Sequence, residues 1–142
     1  MQSKRIGSEI SEEFLKRVVE FHGHLGPFLI LGVKAGLLAN SLLGKDCFEM
    51  KAIVVTEPSP PTSCFVDGVQ FVTGCTMGKR NIRLRKGKNT SAIFFKDGKT
   101  VKLRVKEKVL ESVSRVASED ESNKESLRLL NSPMSELFEV EK

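Results

Sequence analysis

SAIFFKDGKTVKLRVK, residues 91–106, decides the fold class. Asp97-Gly98 is a two-residue hairpin signal, with Ser91–Phe95 on one side and Thr100–Lys106 on the other. In the second arm Val101, Leu103 and Val105 alternate with Lys102, Arg104 and Lys106. An apolar face alternating with a charged one is the pattern of an antiparallel sheet wetted on one side. Upstream, Ile82–Arg85 reads as a short basic strand. Phe48–Glu57, centred on Ala52-Ile53-Val54-Val55, reads as another, halted by Pro58, Pro60 and Pro61.

Between these strands Thr62 or Ser63 caps a short helix that runs to Thr73 and ends at Gly74. Further upstream the period changes to that of helices. Ser11 is the candidate N-cap of a helix from Glu12 to Glu20, with Phe14, Leu15, Val18 and Val19 as its apolar stripe. After Phe21-His22-Gly23-His24-Leu25-Gly26, Pro27 fits the first turn of a second helix reaching Leu43, with Gly44 past its end. That helix is apolar nearly all round and is expected to be buried. Its small residues Gly32, Ala35, Gly36 and Ala39 share one side. Glycine inside a helix costs stability, so a close neighbour is expected there, either the sheet or a second copy of the chain. Downstream, Ser118 and Glu121 form a capping box for a helix through Leu127, Leu130 and Asn131, ended by Ser132-Pro133. The expected fold is α+β: a helix-strand-helix-three-strand core with a mixed sheet and flanking N- and C-terminal helices, in a single domain spanning 1–142.

At 39% apolar and 29% charged residues, the chain has the composition of a soluble globular protein. The opening MQSKRIGSEISEEF is polar, with no secretory h-region, and no run is long enough to span a bilayer. A cytoplasmic protein with no membrane contact is therefore expected. Three cysteines are too few for a disulfide scaffold and read as free thiols or metal ligands. The net charge of +5 is unevenly spread: Lys79–Lys108 holds twelve Lys/Arg and two acids, and the remainder of the chain is net acidic. Such a block could meet an anionic cofactor or an acidic partner protein, or simply be a solvated sheet face whose lysines defend an edge. Nucleic acid is not expected, because no nucleic-acid motif accompanies the charge.

Two constellations could carry chemistry. His22 and His24 are the two histidines of the chain and flank Gly23 between the helices. Both can ligate a metal, or one can be a histidine bonded to backbone. Cys64 falls at the start of the short helix, where free N–H groups and the helix dipole favour a thiolate. Asp67 lies one turn on, and Cys75 just past the helix end. Buried, inert cysteines are the plain alternative. His24 and Cys64 are expected within reach of one ion, with Cys75 next and His22 as a further candidate. A thiolate–imidazole set suits Zn²⁺ better than calcium or magnesium. Gly74-x-x-x-Gly78-Lys79 is not a phosphate loop: it lacks the full pattern and follows a helix.

His22-Gly23-His24-Leu25-x-Pro27, followed by Cys64-x-x-Asp67-x-Val69-Gln70-x-x-x-Gly74-Cys75-Thr76-x-Gly78-Lys79-x-Asn81, resembles the FmdE family, the E-subunit family of formylmethanofuran dehydrogenase. The resemblance runs roughly from Phe14 to Lys106. It implies an α+β domain, often a homodimer, with a sheet akin to the catalytic domain of glyceraldehyde-3-phosphate dehydrogenase. It also implies a metal, usually zinc, near the histidine motif and the cysteine-bearing helix, with His22, His24, Cys64, Asp67 and Cys75 as candidates. Family members often carry a cysteine before the proline of the histidine motif, where this chain has Gly26, and many append a zinc ribbon, whereas this chain has no cysteine after Cys75. The implied role is a metal-binding accessory or regulatory protein of one-carbon or molybdenum/tungsten metabolism. The alternative is a stand-alone zinc-dependent enzyme acting on a small substrate through metal-activated water. In either case Asp67 is a general base or the partner of a ligand histidine.

Overall fold

The computed structural model describes residues 5–6 and 10–142. Two short strands, β1 (Arg5–Ile6) and β2 (Ile10–Ser11), pair antiparallel. Ser11 then caps α1 (Glu12–His22): its hydroxyl accepts the Phe14 amide at 3.0 Å. Helix α2 (Pro27–Leu43) has Pro27 in its first turn, and Gly44 closes it with an amide bond to the Asn40 carbonyl. Strand β3 (Lys51–Thr56) is shorter than the alternation predicts. Asp46 Oδ1 accepts the Phe48 and Glu49 amides, both at 3.0 Å, and turns the backbone before it can extend.

The chain continues through α3 (Cys64–Thr73), β4 (Ile82–Lys86), β5 (Ser91–Lys96) and β6 (Lys99–Val105). Asp97 and Gly98 have φ of 52° and 77°, the left-handed pair that a tight hairpin turn needs. Helices α4 (Glu107–Ser114), α5 (Glu119–Asn131) and α6 (Met134–Leu137) follow, and then a last strand β7 (Phe138–Glu141). Ser118 caps α5 through the Glu121 amide, but the Glu121 carboxylate accepts from Ala117 N and not from the cap's own amide. Nothing in the local pattern foretells β7. It forms because β6 offers a free edge, which Phe138 to Glu141 pair antiparallel.

The sheet order is β4-β3-β5-β6-β7, parallel between β3 and β4 and antiparallel elsewhere. This is the mixed α+β architecture expected, with the β3–β4 crossover made by α3. Ala52, Val54, Phe94, Val101, Leu103 and Val105 bury one sheet face against the helices. Burial of side chains such as Leu29, Ile30 and Leu31 stabilises α2 by roughly 1.5–3 kcal/mol each. Lys34, the one cation in α2, is itself buried and donates to the carbonyls of Leu130 and Ser132 at 3.1 and 2.9 Å. It thereby ties α2 to the end of α5, where a cation suits the exposed carbonyls.

The two glycines on the small-residue face of α2, Gly32 and Gly36, meet neither the sheet nor a second copy. Their partner is α3. A Cβ on Gly32 would lie 2.1 Å from the Phe65 carbonyl oxygen, and one on Gly68 would lie 2.4 Å from the Leu29 carbonyl oxygen. The two helix backbones touch, and Gly36 lies against Val72. This contact fixes the start of α3 against the α1–α2 turn.

Candidate metal centre

His22 is the last residue of α1, and Gly23 caps the helix at a φ of 111°. That left-handed step, open to glycine, turns the chain so that the His24 ring comes back beside His22. The ring centroids are 4.7 Å apart. Cys64, the first residue of α3, completes the group: one ligand atom from each of His22, His24 and Cys64 lies within 4.8 Å of the others.

The ring nitrogens are oriented from outside the cluster. His22 Nδ1 bonds Asp67 Oδ2 at 2.6 Å. His24 Nδ1 donates to the Leu25 carbonyl at 3.1 Å. With Nδ1 so engaged in each ring, Nε2 is the nitrogen left for a metal, as where a carboxylate or carbonyl orients a ligand histidine. His22 Nε2 is buried and has no hydrogen-bond partner. An orphaned buried nitrogen costs roughly 1–3 kcal/mol, and an ion at the cluster would offset that cost. The donor set therefore fits a metal.

Cys64 departs from expectation. Burial pushes its thiol above the ordinary value, the Asp67 carboxylate pushes the same way, and only its own backbone N–H opposes them. The helix N-terminus does not win, because burial first, and the Asp67 carboxylate second, outweigh the one backbone N–H. Cys64 is thus a neutral thiol that must lose its proton to bind an ion.

Cys75 is not brought to the cluster. It is fully buried and its thiol donates to the Met50 carbonyl at 3.3 Å. The cause is the left-handed Gly74, φ 79°, which turns the chain under Cys47. The long motif from Gly74 to Asn81 is occupied in the same way. Asn81 accepts the Thr76 amide at 2.8 Å and donates to the Cys47 carbonyl at 2.8 Å. Lys79 Nζ donates to Thr76 Oγ1 at 3.1 Å. These groups lock a turn and hold no phosphate loop.

Asp67 orients the His22 ring, as the partner of a histidine would. Gln70 supports it: Nε2 reaches Asp67 Oδ1 at 3.5 Å, and Oε1 accepts the Met77 amide at 2.9 Å. The sequence names Gln70 within the family motif without giving it a role, although its place one turn after Asp67 is the signal that could have found one.

The family model described as "FmdE, Molybdenum formylmethanofuran dehydrogenase operon" matches residues 21–139. An Archaeoglobus fulgidus protein named "Probable S-adenosyl-L-methionine-binding protein" is 37% identical over 124 residues, covering 82% of this chain and 31% of that protein. The chain thus spans about a third of the length of that curated relative. The crystal structure of a tungsten formylmethanofuran dehydrogenase FmdE-like protein from Syntrophus aciditrophicus superposes with a TM-score of 0.70 at 19% identity, covering 99% of this chain and 76% of that one. This likeness shows a shared fold.

Proposed function

We propose, from the premise that this chain belongs to the FmdE family, that it is a metal-binding protein holding one zinc ion. The ligands are Nε2 of His22, Nε2 of His24 and Sγ of Cys64. The observation that carries this reading is the buried, partnerless Nε2 of His22, a member of a ready group of donors. Two imidazoles and a thiolate are a donor set suited to zinc. The role we assign is accessory or regulatory, in one-carbon or molybdenum/tungsten metabolism, supported by the description of the family.

A second reading, a stand-alone zinc-dependent enzyme acting on a small substrate, is favoured by one feature. Among the described residues the cluster offers three donors to a metal that prefers four. Bound zinc would supply Lewis-acid polarisation of a carbonyl or of water. Asp67 holds His22 in place and also borders an open groove. From there it can take a proton from a substrate group.

We further propose a homodimer, supported by the family and by the frequency of two-fold assemblies, although the glycine face of α2 is used up by α3. Sedimentation showing monomer alone at tens of micromolar would refute it. The basic Lys79–Lys108 surface remains our proposed site for a protein partner. No described helix is long and apolar enough to cross a membrane. A cytoplasmic location is part of the proposal and accords with three free cysteines.

Calorimetric zinc titration tests the centre. Wild type is expected to bind one equivalent, and His22→Ala, His24→Ala and Cys64→Ser to bind far more weakly. Equal stoichiometry and affinity in all four proteins would remove the site.

A further inference from the structure

Beside the metal centre, α3 and the edge strand β4 enclose a groove of about 830 Å³. Small-molecule sites commonly occupy about 300–1,000 Å³. Asp67, Gln70, Met77, Arg80, Arg83 and Leu84 are among the residues that line it. Asp67 makes it continuous with the cluster, since the same carboxylate holds His22.

The lining has an apolar part and a cationic part. Met77 and Leu84 leave 65% and 43% of their surface exposed here, although both are large apolar residues. Arg80 and Arg83 engage in no salt bridge among the described residues. Against two guanidinium groups the groove sets one carboxylate, Asp67, whose oxygens are already shared with His22 and Gln70.

Arg80 is also held in an uncommon backbone state. Its φ is 60°, a conformation that residues other than glycine seldom adopt. The turn that imposes it is anchored twice: Arg80 N donates to the Met77 carbonyl at 3.1 Å, and Met77 N donates to Gln70 Oε1 at 2.9 Å. Gln70 therefore joins the Met77–Arg80 turn to the helix that carries Cys64 and Asp67.

We propose that this groove binds a small organic anion. Its carboxylate or phosphate head is held by Arg80 and Arg83, and its apolar body lies on Met77 and Leu84. Guanidinium forks suit both heads, because planar paired donors match their oxygens. This deepens the metal-centre reading by naming the class of molecule that would be brought beside the ion. The binding itself uses none of the metal ligands.

The test is a titration of the ¹⁵N-labelled chain with hexanoate, with hexyl phosphate and with neutral hexanamide, first after EDTA treatment and then with one equivalent of zinc chloride. Saturable shifts of the Gln70, Met77 and Leu84 amides are expected with at least one anion, in both metal states, with hexanamide at least tenfold weaker. Saturation by hexanoate alone would assign the carboxylate head, and saturation by hexyl phosphate alone the phosphate head. Arg83→Gln is expected to weaken the anion at least fivefold in a folded spectrum. Arg80→Gly, which suits the left-handed backbone, is expected to do the same. The proposal is overturned if hexanamide binds as well as the anions, if neither anion saturates, or if both arginine variants bind like wild type. Binding seen only with zinc would also overturn it, because the anion would then be reporting the ion. Anion binding without zinc uptake would leave the groove standing and sink the metal reading alone.

Discussion

At its N-terminal end α3 presents Cys64 to two histidines; beyond its C-terminal Gly74 it presents Cys75 to a backbone carbonyl. Burial pushes both thiols above the ordinary range, so acidity does not separate them. Their partners do. The Cys75 sulfur already donates to Met50, and the residues around it satisfy one another. Cys64 lies in a cluster with His22, whose buried Nε2 has no partner. A ligand site is thus marked by donors left open together, and a packing thiol by donors already used.

The strongest way to break the comparison is to remove the contact both ends depend on. Gly68→Val would drive a side chain into the Leu29 and Val33 backbone. A loss of about 3 kcal/mol or more is expected in urea unfolding. A well-folded variant of unchanged midpoint would show that α2 and α3 can separate without cost.

Swapping the damage sharpens it. Cys64→Ser should weaken zinc binding by about a hundredfold or more while barely moving the unfolding midpoint. Cys75→Ala should do the reverse, keeping zinc affinity and losing about 1–2 kcal/mol of stability. Loss of zinc from Cys75→Ala at full stability would put Cys75 back among the ligands. Asp67→Asn should retain one equivalent of zinc, but about 10–100-fold more weakly, because the His22 ring loses its charged partner. Unchanged affinity would leave Asp67 without its positioning role.

The smallest effects are those of pH. Cys64 must release a proton from a raised thiol, so zinc affinity should increase by about tenfold per unit as pH rises from 6 to 8. A flat profile would mean that the thiol is not a ligand. Without metal the sign reverses. Thiols raised in the fold contribute stability below their ordinary 9.0, and this is lost as pH rises through the folded values. Melting of the EDTA-treated protein should therefore move down above about pH 9, and an upward shift would contradict the burial of both groups.

Much of the scaffold was legible because local chemistry enforces it. Ser11 and Ser118 cap their helices, Pro27 opens α2, and Asp97-Gly98 folds the hairpin in the places their residue types require. Helix α1 runs two residues further than its stripe predicts, into His22, and β3 begins three residues later than its alternation suggests. Strand β7 could not be read, since its pairing is owed to a distant edge. In the site, the structure brings His24 and Cys64 together, and His22 joins them, held by Asp67. Cys75 is a candidate ligand by its place just past α3 and by the family motif, and the left-handed Gly74 turns it away from the cluster.

The sequence by itself determined which residues could bind a metal, where α1, α2 and α5 begin, and that one sheet face is wet. Those properties depend on residue type and on neighbours within a turn or two. Only the tertiary structure decided that α3, and not the sheet or a second copy, fills the glycine face of α2. That contact sets Cys64 beside His22 and His24, while the left-handed Gly74 turns Cys75 inward. Convergence of side chains some forty residues apart is set by how close two helix backbones can approach, and that depends on what each glycine meets across the interface.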